Sequence, residues 1–397
     1  MYRSAPFILL TSSCLGFVFV GCSKPDVYDS IREEQKQGSM SAREAHYAAM
    51  EPYRAWIEEN FPASGYTSNA YIHPMIDAAT APEWTERKSL RVAINGRTNE
   101  RHAPWLMAES RGHFDSVGID FEWHVLKRGE DPYDLLRQGK VDVLIERFGS
   151  RLIEEVAAYD ESPFLGISSL YQKTPYAIYS LDTGIEQSER SSATFQPAAF
   201  LGRIIELPNP QRYLLGIIED RYDVPRIKMK AIGTNMDPNR LLNGMSSFAC
   251  VETGTFARVM NQREVRNWII GNIEDILTPQ LTWVSVVYHP EASGDQSWQQ
   301  RYNWALMRGT FNILQSPQLA APEIRKTSAQ KSKPEHITQA WFARMRLVTG
   351  TRRTPLLSLD PTSINWEAAA LLRHGYLGDL TDLAEKEIQA TFKTETP

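Results

Sequence analysis

Cysteine is scarce in this chain, with three residues in 397, and the signatures of common enzyme classes are absent. The sequence has no G-x-S-x-G nucleophile elbow, no phosphate-binding P-loop, no dinucleotide glycine fingerprint and no H-E-x-x-H zinc motif. The eight histidines are scattered, and His102 and His113 flank one predicted helix, which favours a capping or surface role over metal binding. We therefore expect no enzymatic activity, no metal and no cofactor.

A strong charge of either sign is also lacking. The formal net charge is −5, and the basic residues are spread along the chain. The longest basic cluster, residues 326–333, is interleaved with Ser, Ala and Gln and is typical of a solvated loop. Nucleic acid is therefore not expected as a partner. Apolar residues make up 42% of the chain, which is ordinary for a globular protein, and the length favours roughly two domains.

The N-terminus has the organisation of a signal peptide. Arg3 provides a positive charge, residues 6–20 are apolar and uncharged, and Gly21 is a small residue at a cleavage point. The apolar run is shorter than the roughly 20 residues that a membrane span needs. Phe19-Val20-Gly21-Cys22 resembles the bacterial lipobox, although Phe19 stands where leucine is usual. The resemblance implies lipidation of Cys22, while a plain secreted protein and an uncleaved anchor stay open.

The cysteines fit this organisation. Cys14 would leave with the signal peptide and Cys22 would be blocked by lipid, so Cys250 would be the one remaining thiol. It lies in a predicted apolar strand, residues 247–251, where a buried and unreactive thiol is expected. A disulfide framework is therefore excluded.

Residues 22–88 are predicted to form a tether with a short helical part. The Ser-Ala-Arg-Glu sequence at 41–44 is a capping box that starts a helix ending near residue 60. Residues 62–88 are rich in Pro, Ala, Ser and Thr and predict a loop. The extension is either a spacer or, through residues 40–60, a docking surface for a partner.

The central pattern is strand-helix-strand-helix-strand. Short β-branched runs at 90–94, 118–125 and 141–145 alternate with helical spacing at 102–111 and 131–138. Gly112 and Gly139 follow the two helices as left-handed stops. This alternation predicts an α/β fold with a parallel sheet that helices cover.

A second, smaller α/β unit is predicted after residue 185. Its strands are 203–207, 227–232 and 248–252, with Asn209 capping a helix whose first residue is Pro210. Residues 284–288 form a β-rich run that could return the chain to the first unit. The remainder is predicted to be mainly helical, at 298–315, 334–348, 363–374 and 381–391.

One segment of the first unit resembles a known family. Residues 102–122 read HAPWLMAESRGHFDSVGIDFE, a helix that ends in Ala-x-x-x-Gly-x-Phe and is followed by a Gly-Ile-Asp strand. This resembles the segment that opens periplasmic solute-binding proteins of ABC importers, in the nitrate, sulfonate, taurine and thiamine-precursor group. Residues 136–143, LRQGKVDV, and residues 174–185 are similar to further phrases of that family, and the resemblance covers about residues 90–252.

The resemblance implies a two-lobed type II periplasmic-binding-protein architecture with a helical C-terminal region. After a signal peptide (1–21) and the tether (22–88), residues 89–183 with 283–397 would form one lobe and residues 184–282 the other. Two crossovers, near 181–185 and near 282–288, would act as hinges.

The implied function is a lipid-anchored solute-binding protein of the cell envelope. It would sit in the periplasm, attached to the membrane through Cys22, and deliver a small polar solute to an ABC permease of the inner membrane. One alternative is an enzyme on the same fold, a decarboxylase or a pyrimidine-forming relative, although the cysteine-rich motif of the latter is missing. Another is an envelope lipoprotein with a sensing or assembly role.

Candidate ligand-binding residues follow from position, because loops at the carboxyl ends of parallel strands converge on one crevice. Arg97 and Arg101 could clamp an acidic group, and only one of Glu146 and Arg147 is expected to face the cleft. An anionic or zwitterionic solute fits best. The complete candidate set is Asn95, Arg97, Thr98, Asn99, Arg101, Trp105 as a stacking ring, Arg147, Tyr171, Asn209 at a helix N-terminus, and Glu252.

Overall fold

The computed structural model describes residues 81–158, 164–180, 204–222, 228–232, 241, 243–255, 268–273, 280–288, 297–349, 356–357, 359 and 361–377. The predicted signal peptide, Cys22, most of the tether, the 181–185 hinge and the helix at 381–391 lie outside these residues.

The first sheet contains the predicted strand-helix-strand-helix-strand unit. Its strands, in the spatial order β2-β1-β3-β10-β4, are β1 (Lys88–Ile94), β2 (Ile119–Val125), β3 (Val143–Phe148), β4 (Phe164–Ser169) and β10 (Thr282–Tyr288). β1 pairs with β2 and β3 in parallel, while β10 is antiparallel to β3 and β4. Apolar residues of β1 and β3 are fully buried, because helices cover the sheet. The strands at 90–94, 118–125 and 141–145 are thereby confirmed, with shifts of a few residues at their ends.

A second five-stranded sheet has the spatial order β7-β6-β8-β5-β9. Its strands are β5 (Tyr176–Ser180), β6 (Ile204–Pro208), β7 (Lys228–Ile232), β8 (Phe248–Glu252) and β9 (Trp268–Asn272). β6 is parallel to β7 and β8, and β5 runs antiparallel between β8 and β9. The three strands predicted for the second α/β unit are therefore confirmed.

Nine helices occur among the described residues: α1 (Ala103–Ser110), α2 (His113–Ser116), α3 (Pro132–Arg137), α4 (Gly149–Ala157), α5 (Leu214–Tyr222), α6 (Ser297–Gln315), α7 (Pro317–Thr327), α8 (Pro334–Thr349) and α9 (Pro361–Arg373). None of these described helices combines the length and apolar character that a membrane span needs. α4 and α7 had no counterpart in the predicted elements. The first two residues of the predicted loop at 326–333 belong to the last turn of α7, where basic side chains such as Lys326 are favourable.

The chain passes between the sheets at positions that differ from the predicted hinges. β4 belongs to the first sheet and β5 to the second, so the first crossover lies at residues 170–175 rather than 181–185. The second lies between Asn272 and Thr282, whereas the predicted hinge at 282–288 is β10 itself. β5 and β10 are buried strands flanked on both sides, and local pattern does not reveal which sheet a strand joins. The boundary predicted at 183/184 therefore lies too late in the chain.

We call the first sheet and the helices packed on it the first lobe, and the second sheet with α5 the second lobe. α1 and α6 approach closely in the first lobe, because Gly309 has no side chain and a Cβ there would lie 2.1 Å from the carbonyl oxygen of Pro104. The indole N–H of Trp105 donates to the hydroxyl of Tyr302 at 2.7 Å within this core.

Candidate ligand cleft between the lobes

A cavity of about 650 Å³ lies where β1 and β3 end, as parallel-sheet geometry predicts. The first lobe contributes Asn95, residues 126–130 with Pro132, residues 144–148, Arg151 and Glu154, and the second lobe contributes Asn209, Pro210 and Arg212. Glu146 and Arg147 are both among the residues that line it, but their side chains contact different partners, the Tyr133 and Tyr176 hydroxyls respectively. That only one of the two side chains faces the cleft stays a prediction. Both residues belong to β3, in which successive side chains point to opposite faces of the sheet.

Arg147 is held by aromatic side chains. Its guanidinium carbon lies 5.6 Å from the ring centroid of Trp283 and 5.4 Å from that of Phe148. A guanidinium nitrogen donates to the hydroxyl of Tyr176 at 3.4 Å. Burial by itself would lower the pKa of Arg147, but Tyr176, Glu252 and Glu146 raise it above its usual value. Arg147, which is among the residues that line the cavity, therefore carries a permanent positive charge.

Glu146 supplies a carboxylate next to this charge. Its Oε1 accepts from the backbone N–H of Phe148 at 3.1 Å, and the Tyr133 hydroxyl donates to Oε2 at 3.4 Å. Burial raises the pKa of Glu146, although the backbone N–H groups of Phe148 and Arg147 and the charge of Arg151 act to lower it. The cavity is thus lined by an acidic residue and a cationic residue at consecutive positions.

A buried ion cluster bridges the two lobes. Glu252 is the last residue of β8. Its Oε2 lies 3.0 Å from Nε of Arg101, and its Oε1 lies 2.6 Å from a terminal guanidinium nitrogen of Arg344. The side chains of Arg344 and Glu252 are 0% and 2% exposed, and that of Arg101 is 18% exposed. Although burial would raise the pKa of Glu252, Arg344, Arg101 and Arg147 hold it below its ordinary value. Two predicted ligand residues, Arg101 and Glu252, are therefore partners of each other.

Arg344 was not among the predicted site residues. It lies in α8 on the stripe of Ile337 and Trp341, which are buried. An arginine at a core position of an amphipathic helix is the one sequence signal that could have revealed it, because a buried charge needs a partner.

The loop after β1 is held mainly by its own polar residues. The Thr98 hydroxyl accepts from the backbone N–H of Ala329 at 2.9 Å, and Asn99 Oδ1 accepts from the backbone N–H of Arg101 at 3.0 Å. Asn99 thereby caps the 3₁₀ turn Glu100–His102. Arg97 is exposed and does not line the cavity, whereas Asn95 does. The predicted clamp of Arg97 and Arg101 is therefore not formed.

Trp105 and Asn209 also differ from their predicted roles. Trp105 is fully buried in the first-lobe core, 6.5 Å from Trp283 between ring centroids, and is not placed to stack on a solute. Asn209 lines the cavity but belongs to a 3₁₀ turn, Asn209–Gln211, and α5 begins only at Leu214. The predicted helix cap at Asn209 is wrong, because Pro210 continues into a turn that precedes the helix.

Trp283 is the aromatic centre of the interlobe region. It is a buried non-glycine residue with φ 54°, a conformation that costs backbone energy and is concentrated at functional sites. Tyr171 and His102 contact its ring edge-on, at 6.4 and 5.4 Å between centroids. Among the described residues, neither the Trp283 indole N–H nor the Tyr171 hydroxyl has a hydrogen-bond partner. Tyr171 therefore lies beside Trp283 in the interlobe region, and its hydroxyl has no hydrogen-bond partner among the described residues.

The groups that could support catalysis or metal binding are few in the described part of the chain. No group of three or more His, Cys, Asp or Glu side chains there is arranged to hold a metal ion. The Cys250 thiol is buried, donates to Gln211 Oε1 at 3.3 Å, and has a pKa raised by burial, as expected for an unreactive thiol. Burial, with Arg101 and Arg147 nearby, lowers the pKa of His102 to about 3.

No family model and no curated protein sequence matches the chain. Several solved structures, however, have a similar fold. The periplasmic aliphatic sulphonate-binding protein of Escherichia coli superimposes with a TM-score of 0.55 at 11% identity, over 73% of this chain and 93% of that one. An alkanesulfonate-binding protein of Xanthomonas axonopodis pv. citri, bound to MOPS, gives 0.50 at 12% identity, over 76% and 95%.

A Candida albicans protein described as having the generic periplasmic binding protein fold also gives a TM-score of 0.50, at 16% identity, over 76% of this chain and 95% of that one. At such identities the similarity concerns the fold. Together with the two sheets and two crossovers, it confirms the architecture predicted from the sequence. The chain has the type II periplasmic-binding-protein fold.

Proposed function

We propose that this protein is a solute-binding protein of the cell envelope that captures a small molecule bearing an acidic group and delivers it to an ABC importer. The main observation behind this proposal is the cavity of about 650 Å³ between the lobes, which has Arg147 among its lining residues. A cavity of this size suits a small polar solute. Lipid attachment at Cys22 remains part of the proposal and rests on the lipobox-like sequence.

The chemistry of the wall favours an acidic group with a neighbouring amine. Arg147 presents a planar set of N–H donors that suits carboxylates and sulfonates. Glu146, adjacent to it, suits an ammonium group, and Asn95 and Asn209 offer neutral hydrogen bonds. Five basic and three acidic side chains line the cavity, which favours a solute with net charge zero or negative.

Two of the structurally similar proteins are described as binding sulfonates. This supports including sulfonates among the candidate solutes, beside amino acids and simple carboxylates. Nothing in the described residues favours the enzymatic alternative, since the buried Cys250 thiol and the buried, uncharged His102 are unsuited to nucleophilic or general-base roles.

The test is a ligand screen on the full chain by thermal shift and titration calorimetry. Probes are paired so that one member has an amine and the other lacks it: taurine with ethanesulfonate, and β-alanine with propionate. A solute at 100 times its Kd should stabilise the protein by about 2.7 kcal/mol. If no member of the panel stabilises the protein, the importer proposal loses its support.

Variants then locate the solute. Arg147→Met should abolish stabilisation by every active probe, and Arg147→Lys should weaken it, because a lysine cannot make the two parallel hydrogen bonds. Arg97→Met is the matched control, since Arg97 is exposed and outside the cavity, and should bind like the parent. Glu146→Gln should weaken taurine more than ethanesulfonate. Equal losses for both would contradict the amine-binding role of Glu146.

A further inference from the structure

The ion cluster of Glu252, Arg101 and Arg344 connects the lobes in a specific way. Glu252 ends β8 of the second lobe, whereas Arg101 follows β1 and Arg344 lies in α8, which packs on α7 and so belongs to the first lobe. The contact is therefore made across the cleft, not within one lobe. Buried carboxylates need such partners, because an unpaired charge would be costly to remove from water.

The two arginines belong to one rigid piece of the first lobe. The indole N–H of Trp341, three residues before Arg344, donates at 2.8 Å to the carbonyl of Glu100, the residue before Arg101. The guanidinium of Arg344 lies 5.7 Å from the Trp341 ring centroid. The Asn99 cap fixes the backbone at Arg101. First-lobe residues thus position the backbone at Arg101 and the guanidinium of Arg344.

The second lobe is shaped to receive them. Arg101 donates to the Thr255 hydroxyl at 2.7 Å, beyond its contact with Glu252. A Cβ on Gly254 would lie 2.6 Å from Nε of Arg344, so the guanidinium occupies the space that any other residue's side chain would need. Glycine at this position permits the close approach of the two lobes.

We propose that Arg101 and Arg344 form a carboxylate-binding seat of the first lobe and that the chain's own Glu252 fills it, acting as a tethered ligand that closes the cleft without solute. This inference rests on the proposed function in one respect: because Glu252 occupies the seat, the acidic group of a solute is left to Arg147. The contact of Glu252 with Arg101 and Arg344 thereby sets the equilibrium between the open and closed forms of the protein.

The first experiment measures the interlobe distance without any solute. Spin labels are attached at Glu122→Cys in β2 and Met245→Cys in the second lobe, both exposed positions, in a full-length background carrying Cys14→Ser and Cys22→Ser. Cys250 is buried and its thiol pKa is raised by that burial, so it should not react with the label. The parent should give one short distance, and Glu252→Gln should lengthen it.

Matched variants separate charge from folding. Glu252→Asp keeps the carboxylate and should retain more of the short distance than Glu252→Gln. Glu335→Gln removes an exposed carboxylate of α8 and should behave as the parent. Gly254→Ala keeps every charge but displaces Arg344, so it should also lengthen the distance. If Glu252→Gln does not fold, Gly254→Ala decides the question.

Chemical rescue tests the seat itself. In Glu252→Ala the seat is vacated, so sodium acetate should bind there and raise the melting temperature, relative to sodium chloride at equal ionic strength. The parent should show no such response. The proposal is overturned if Glu252→Gln and Gly254→Ala both keep the parent distance, or if acetate affects Glu252→Ala no more than the parent. These measurements use no solute, so an unsuccessful solute screen would overturn the proposed function alone.

Discussion

Glu367 in α9 should make the stability of the protein fall as the pH rises towards 8. This carboxyl is 1% exposed, and burial raises its pKa from 4.5 to about 8. The hydroxyl of Tyr213 donates to its Oε1 at 2.8 Å, and the backbone N–H of Leu281 donates to Oε2 at 2.8 Å. These hydrogen bonds link α9 to the second lobe and to the end of the second crossover. Ionisation of Glu367 would therefore destabilise the junction between the lobes.

The direction and size follow from proton linkage. Below pH 4.5 the folded and unfolded forms are both protonated at this carboxyl, and its contribution is fully present. Between pH 4.5 and about 8 the unfolded chain releases the proton while the folded protein keeps it, so stability is lost as the pH rises. A difference of about 3.5 pKa units corresponds to roughly 5 kcal/mol, since each unit is about 1.4 kcal/mol. At about 2 °C per kcal/mol for a larger protein, the melting temperature should fall by roughly 10 °C over this window.

The assay is differential scanning calorimetry of the parent, Glu367→Gln and a control, Glu122→Gln, from pH 4.5 to 8.5. Glu122 is exposed on β2, so its variant should follow the parent at every pH. The glutamine side chain does not ionise, so the melting temperature of Glu367→Gln should rise relative to that of the parent as the pH increases. A difference between the melting temperatures of Glu367→Gln and the parent that stays constant from pH 4.5 to 8.5 would show that Glu367 does not titrate in this window.

Three further outcomes are expected. Arg344→Met should cost about 3 kcal/mol by leaving Glu252 with one partner fewer, and the double variant with Glu252→Gln should cost less than the sum of the two single changes; additive costs in denaturant unfolding would contradict their coupling. Gly309→Ala should destabilise by roughly 1 to 3 kcal/mol through overpacking against Pro104, and an unchanged unfolding midpoint would argue against the close contact of α1 and α6. Cys22→Ser should release the protein from membranes or block its processing, and fractionation identical to the parent would exclude lipid attachment there.

Local pattern predicted most of the strands and the longer helices, although it missed α4 and α7. Strand runs such as the one at β1 and the left-handed glycines after the early helices are read from residues close in sequence, because side-chain period and backbone conformation are local properties. The same holds for Cys250, whose apolar strand predicted a buried thiol. The α/β class and the strand-helix alternation could therefore be predicted from local sequence alone.

Tertiary structure alone decided which residues meet. The position of the first crossover depends on β5 joining the second sheet, and that choice is made by partners distant in sequence. Arg101 and Glu252 were each candidates for a solute, but only the packed lobes bring Arg101, Arg344 and Glu252 into contact. Ion pairs across a cleft depend on three-dimensional distance and burial, and no local spacing encodes either.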